Sequence, residues 1–526
     1  MERKTAGLGT LTLTALLTLG GAGGCGNFDQ NGGTIDDSLV SETQAALLSG
    51  ANSASTQAIT SESDPAFAGR FQSETSMAIS IYKGTTMRIV GYNAQDIDSY
   101  MYFASPYRYV YQYASLMGWS YRSAASGKAW NAGHVYDFVL GSSNLLWGDP
   151  SVAAMPRTPN VYFVNLSANM SVDVAVDPQD SYGDPTVSSI LSGGCIARST
   201  DQGQTFSAWR CVPAGATHYD GSSVAALSDS TGTKKQRIYM AFVNVPAHKI
   251  DVWYYNETTG DFTLIDDPFP NTFIGNHPRL YTSNRYDNVL TVYLAAIDRD
   301  GRLLLNAHDG TKWIWGSSPV VAATGVEGVP TVALQNGARI ATTQGGFNFA
   351  VGRSEYDNSI AEARFFYAVY TPNNKIGLQG ARCLLNGTPS CSSPSAWVTP
   401  SSAQSFYPAV DAGYNSSKVW DWRVSYYGDN DNPSSQVKVY HANPKVTKNS
   451  KGALSYSFNP KAATAAQTPC PNSKAYWGDY DDMRADPAGN GIYYRTFTDS
   501  TGSACDTSQP LRGNPQHVTE VKLPKI

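Results

Sequence analysis

From Glu74 onward the chain repeats one phrase: a short extended segment, often opening with proline, a turn, and a second segment rich in Tyr, Val and Ala. "ETSMAIS" is followed by "MRIVGYN", "GDPSVAAM" by "VYFVNL", "DGSSVAAL" by "IYMAFVN" and "NHPRLYTS" by "LTVYLAAID". "GVPTVAL" with "FFYAVYT", "FYPAVDAG" with "WRVSYYGD" and "GDYDDMRAD" with "IYYRTFTD" complete the series. Runs such as "IYMAFV" are apolar at every position, as in strands buried on both faces. Proline at a strand's first residue is where a sheet tolerates it. The irregular period, roughly 50 to 80 residues, suits blades separated by loops of variable length. The pattern predicts an all-β chain whose residues 67–526 form a single β-propeller of seven blades. Six blades stay open, because a long insertion separates "GVPTVAL" from its partner.

Between these pairs lie turn-like stretches, of which "STDQGQTF" (Ser199 to Phe206) is the sharpest. A calcium loop of the EF-hand type needs several oxygen ligands at alternate positions and a bidentate Glu. Here only Asp201 is acidic. The pattern instead resembles the Asp-box (BNR repeat) of the sialidase superfamily. That resemblance implies a hairpin turn on the bottom face, with Asp bonding the turn's own backbone, Gly in a conformation closed to side chains, and the aromatic packed between sheets. "YRSAASGKAW" (Tyr121 to Trp130), with Ala125 and Ala129 in place of Asp and Thr, and "NAHDGTKW" (Asn306 to Trp313) resemble eroded copies. Each stands where a third-to-fourth-strand hairpin belongs.

In a propeller the innermost strand starts at the top face, so residues just before each first strand ring the mouth of the central channel. They are Glu74, Asp149, Gly221 with Asp220, His277, Val329 with Glu327, Tyr407 and Asp479. Converging carboxylates raise one another's pKa or hold a cation, so a calcium or sodium ion at the mouth is admissible; no other cofactor is expected. Glu74, Asp149 and Asp479 are the candidate catalytic carboxylates. Tyr480, Trp147, Asp220, His277, Arg279, Tyr407 and Arg423 are the candidate substrate contacts, flat rings beside polar groups being suited to sugars. The competing reading is that Asp at a strand entrance only caps a turn. The family resemblance would also imply three arginines on a substrate carboxylate, a Tyr nucleophile and an Asp acid/base. The expected Arg-Ile-Pro motif is absent, although Arg279, Arg423 and Arg495, on expected inner strands, could supply a clamp. Two functions follow: a propeller that engages a glycan at its top face, with hydrolysis open, or a non-catalytic adhesion or assembly module.

The 526 residues are only 15% charged, with a formal net charge of −5 and no Lys/Arg-rich run, which argues against a nucleic-acid partner. Arg3 and Lys4 precede an apolar stretch from Leu8 to Leu19, and "GGAGGC" ends at Cys25. This resembles a bacterial lipoprotein signal over residues 1–25, departing from it at Ala22; ordinary signal cleavage stays open. Residues 26–66, rich in Asn, Gly, Ser and Thr, read as a flexible tether. Setting Cys25 aside for lipid leaves six cysteines. Cys195 and Cys211 are symmetric about Gly203, Cys383 and Cys391 about Gly387, and Cys470 and Cys505 pair by elimination. Three disulfides fit a periplasmic or surface compartment. The chain is expected to be an exported monomer at the bacterial outer membrane or cell surface, meeting the membrane through its N-terminal lipid only, or secreted if ordinary signal cleavage applies. No nucleophile elbow, His-Glu-x-x-His or P-loop is found.

Overall fold

The computed structural model describes residues 54–59 and most of the chain from 70 to 525, apart from intervening stretches of which the longest are 170–191 and 500–516. The described residues form seven four-stranded antiparallel sheets and contain no helix. Six sheets are built in chain order from the centre outward. Their inner strands are Arg70–Tyr82, Asn144–Ala154, Tyr219–Leu227, Arg279–Thr282, Phe347–Arg353 and Ser405–Tyr414, and Met483–Ala485 is the seventh. Each inner strand lies against the next, and the seventh meets the first, which closes a seven-bladed β-propeller. The six-bladed alternative is thereby discarded.

Two departures from the expected blades have clear causes. "GVPTVAL" is not the inner strand of blade 5. Thr331–Ala333 pairs with Arg339–Ala341, which runs parallel to Lys474–Tyr476 in a small separate sheet. The inner position goes to Phe347–Arg353, which buries Phe347, Phe349 and Val351 while pairing in full with Ala361–Tyr370. Blade 7 takes its outermost strand from the other end of the chain. Ser55–Ala58 pairs antiparallel with His517–Leu523, Ser55 opposite Lys522 and Ala58 opposite Thr519. Ala54 and Ile59 at either end of this strand are buried. Part of the stretch read as a tether therefore closes the ring.

Blades pack through close approaches that only glycine permits. A Cβ on Gly91 of blade 1 would lie 2.7 Å from the Phe163 ring of blade 2, and one on Gly194 of blade 2 would lie 2.1 Å from Phe242 of blade 3. Disulfides Cys195–Cys211 and Cys383–Cys391 join third to fourth strands in blades 2 and 5, as expected from their symmetry. Cys25, Cys470 and Cys505 lie outside the described residues.

The turn at Ser199–Phe206 links the third and fourth strands of blade 2 at the bottom end. Asp201 accepts hydrogen bonds from the backbone N–H groups of Gln204 (3.0 Å) and Thr205 (2.9 Å) and from the Thr205 (2.6 Å) and Ser199 (2.7 Å) hydroxyls. Burial raises the Asp201 carboxyl, but these bonds together outweigh it and hold the pKa below the ordinary value. Gly203 has φ +87°, and a Cβ there would meet Ile89 at 2.4 Å. The neighbouring Gln202 side chain donates to Ser80 and Thr85 of blade 1, so the turn also ties two blades together. Asp309 organises the corresponding turn of blade 4 in the same way, accepting from Thr311 and Lys312, and Trp313 packs inward.

Candidate functional site

The heads of the inner strands meet at the top of the channel. Their register slips there: Ser73 to Ser76 in blade 1, Gly148 to Ser151 in blade 2, Asp220 to Ser222 in blade 3 and Phe406 to Ala409 in blade 6. Asp149, Gly221 and Tyr407 occupy the slips with φ of 56°, 58° and 50°. Such bulges re-aim side chains. Here they aim polar groups at the next blade. Ser76 Oγ accepts from Val152 N (3.0 Å), Ser151 Oγ from Val224 N (2.9 Å) and Ser223 Oγ from Leu280 N (2.8 Å). Asp482 Oδ2 does the same for Met77 N (3.0 Å), and so links blade 7 to blade 1.

The candidate carboxylate Asp149 belongs to this stapling. It is buried, its Oδ2 accepts from Gly221 N (2.8 Å), and its carbonyl accepts from the Ser222 hydroxyl. Asp220 likewise bonds Gly221 N (3.0 Å). Tyr407 does not offer a sugar platform, because its ring is buried against Phe406 and Tyr427. Arg423 is on the second strand of blade 6, opposite Asp411 in the lower half of the sheet. Fully buried, it bonds the Pro524 carbonyl (3.0 Å) and His441 Nδ1 (3.2 Å), so it is remote from the mouth. Arg279 is on an inner strand and half-buried, whereas Arg495, like Arg423, is on a second strand. Glu74 and Trp147 stand on strands whose side chains at those positions are not described. Asp479, Tyr480, His277 and Val329 lie outside the described residues.

One polar cluster at the mouth has a different character. Asp481, just before the inner strand of blade 7, is fully buried; its Oδ1 accepts from Thr75 Oγ1 (3.2 Å) and its Oδ2 from Arg495 Nη2 (3.2 Å). Burial pushes the Asp481 carboxyl up, partly opposed by Arg495 and by hydrogen bonds from Tyr427, Arg495 and Thr75. Arg495 Nη2 also donates to the Tyr407 carbonyl (3.1 Å), and its guanidinium lies 5.0 Å from the Tyr427 ring centre. Its Nε and Nη1 have no hydrogen-bond partner among the described residues. A buried guanidinium with two unpartnered nitrogens is uncommon. The sequence signal for this cluster is the doublet Asp481-Asp482, two residues beyond the candidate Asp479. Counting back two positions from the stapling residue reaches Glu74, Asp149 and Gly221 in blades 1 to 3, and Tyr480 in blade 7.

Below the mouth the channel holds a cavity of about 100 Å³, lined by small apolar residues such as Ala78, Val152 and Val224, with Tyr281, Thr282, Asp411 and Arg484 as its polar residues. The Tyr281 hydroxyl and Ala485 N (2.6 Å) both donate to Asp411, and Arg484 bonds Asp482 (2.5 Å). No group of His, Cys, Asp and Glu suited to a metal ion occurs among the described residues.

No protein-family model and no curated protein matches the chain. Solved structures resemble it at low similarity. A Trypanosoma rangeli sialidase in complex with the inhibitor DANA is 10% identical with a TM-score of 0.37; the match covers 73% of this chain and 54% of that one. The six-bladed Aleuria aurantia lectin, described with a fucose recognition mode, is 10% identical at a TM-score of 0.37, over 75% and 96%. A xylan β-1,4-xylosidase from Bacillus halodurans is 8% identical at 0.33, over 88% and 96%. At these values they bear on neither substrate nor mechanism.

Proposed function

We propose that this protein is an exported, glycan-binding β-propeller that meets its sugar at the top face and binds without cleaving. The observation that carries the reading is the Thr75–Asp481–Arg495 cluster at the channel mouth. Hydroxyl, carboxyl and guanidinium groups converge there, and two guanidinium nitrogens have no hydrogen-bond partner among the described residues. Sugar hydroxyls and ring oxygens are suited to such donors. Binding is favoured over hydrolysis because the described carboxylates of the mouth, Asp149, Asp481 and Asp482, are each engaged by neighbouring blades, whereas a glycosidase needs two carboxyl groups directed at the scissile bond. The described channel cavity is also well below the roughly 300 Å³ of ordinary ligand pockets. Glu74, Trp147, Asp479, Tyr480 and His277 are proposed as its rim.

Disulfides in two blades support export to an oxidising compartment, and no described helix is long and apolar enough to cross a membrane. Lipid attachment at Cys25 and membership of the Asp-box superfamily belong to the same proposal, the latter supported by the Asp-held turns of blades 2 and 4. A glycan array with the wild type and with Thr75→Val and Arg495→Lys tests the reading well below each variant's melting point. Binding to a defined glycan class, weakened severalfold in both variants, is expected. No glycan bound, or turnover in a screen of chromogenic glycosides, would overturn it.

A further inference from the structure

The bottom end of blades 6 and 7 differs from the rest of the molecule in shape and charge. Where blades 2 and 4 close their third and fourth strands with turns held by Asp, blade 6 extends this hairpin. Lys438–Ala442 pairs with Lys461–Ala462, and beyond Pro444 and Pro460 the ribbon continues as Lys445–Lys448 paired with Leu454–Ser457. The two prolines lack the N–H groups that would continue one ladder, which explains the break. The ribbon is firmly seated: Val446 is buried, Phe458 stacks on Phe366 and Tyr426, and Asn449 Oδ1 accepts from Lys451 N (3.0 Å) and Ala453 N (2.9 Å) to fix the tip.

Its charge is one-sided. Between Asp431 and Asp479 the chain has no Asp or Glu, yet it carries Lys438, Lys445, Lys448, Lys451, Lys461 and Lys474, against a net charge of −5 for the whole. The lysines are too widely spaced to form a run in the sequence, and the ribbon gathers them. Lys445, Lys448, Lys451 and Lys461 are exposed, as are Lys522 and Lys525 at the same end of blade 7. The acidic groups nearby are few. Glu355 is paired with Arg364 and Asp421 with Arg423, which leaves Asp357 near Lys448, and Asp486 in the first turn of blade 7. Leu454, directly opposite Lys448, is 37% exposed at the tip.

The closing strand supplies the orientation. Ser55 lies opposite Lys522 near the bottom end of His517–Leu523, so the chain enters the propeller from the face that carries the ribbon. We infer that the bottom of blades 6 and 7 is a docking surface for a membrane with anionic headgroups. The lysines meet phosphates, Leu454 enters the headgroup layer, and the top face points away. Charge complementarity selects an anionic surface. An exposed leucine among the lysines selects lipid over a soluble polyanion. The contact adds to any lipid anchor and does not depend on whether the top face binds glycans.

The test uses the full chain carrying Cys25→Ser, so that no attached lipid contributes. It is sedimented with vesicles of phosphatidylcholine alone or mixed with phosphatidylglycerol. Binding to the mixed vesicles only is expected, falling about fivefold for each lysine removed, and so on the order of a hundredfold in Lys445→Gln/Lys451→Gln/Lys461→Gln. High salt, which shortens the Debye length to about 3 Å at 1 M, should abolish it. Leu454→Ser should weaken it separately. These exposed positions should leave the melting temperature and the glycan-array profile unchanged, which separates failure of this surface from failure of the top-face reading. Equal binding to neutral vesicles, no binding to either, an unaffected triple variant, or lysine-dependent binding to dextran sulfate without vesicle binding would each overturn the inference.

Discussion

Asp201→Ala tests whether the turn of blade 2 is architecture or site. The carboxylate accepts two backbone N–H groups and two hydroxyls, and Gln202 within the same turn grips Ser80 and Thr85 of blade 1. Charge-assisted bonds would contribute more if buried, but Gln204 and Thr205 are exposed, and water replaces much of what they lose. The cost is about 1–3 kcal/mol, the lower end applying if the Cys195–Cys211 bridge holds the hairpin in place. A melting-temperature drop of roughly a few degrees should result. Asp201→Asn keeps an acceptor oxygen and should lose less. The pH dependence has a definite sign. A carboxyl held below its ordinary pKa contributes stability that is present above the unfolded value and lost as pH falls through the folded one. The gap between wild type and Asp201→Ala should therefore be full at neutral pH and close below about pH 4. Melting curves over pH, with glycan binding measured far below the transition, decide the matter. Loss of binding without loss of stability would refute the structural reading.

Gly194→Ala forces a methyl to within 2.1 Å of the Phe242 ring at the seam of blades 2 and 3, where overpacking costs about 1–3 kcal/mol; Phe242→Leu should restore part of the loss, and an unchanged melting temperature for Gly194→Ala would contradict the seam. His441 is pushed down to about 3 by burial, then by Arg423 and Lys461, so it stays neutral in the fold. The unfolded chain takes up a proton below about pH 6.5, so this residue should cost up to about 1.4 kcal/mol per pH unit on acidification from there. His441→Gln removes that slope, and parallel stability curves for the two proteins would exclude it.

The strand pairs of six blades were legible because two-sided burial makes long apolar runs, as in Arg237–Asn244, buried from Ile238 onward. Both described disulfides were legible as symmetric spacings about a turn glycine. Ser55–Ala58 was not, because an edge strand pairs on one side only and its four residues, mostly polar, carry no periodicity. "GVPTVAL", with its leading proline, stands in the sequence pattern at the place in blade 5 that belongs to Phe347–Arg353. Proline placement alone could not distinguish an inner strand from a short accessory one.

The mouth was legible as a set of positions, and their chemistry was not. Sequence spacing locates the strand heads, but a bulge of one or two residues decides whether a side chain faces the channel or the neighbouring blade. At Asp149 and Tyr407 positive φ turns the chain so that the carboxylate caps Gly221 and the ring enters the core. Carboxylates recur at strand heads partly because a seam there can use an acceptor for the next blade's N–H. Ser76, Ser151 and Ser223 meet the same need without charge in blades 1 to 3, and Asp482 meets it in blade 7. A residue at a mouth is thus better judged by its unspent hydrogen bonds than by its position. By that criterion Asp149 belongs to the frame, and Arg495, whose Nε and Nη1 have no hydrogen-bond partner among the described residues, is the group to test under the proposed glycan-binding reading.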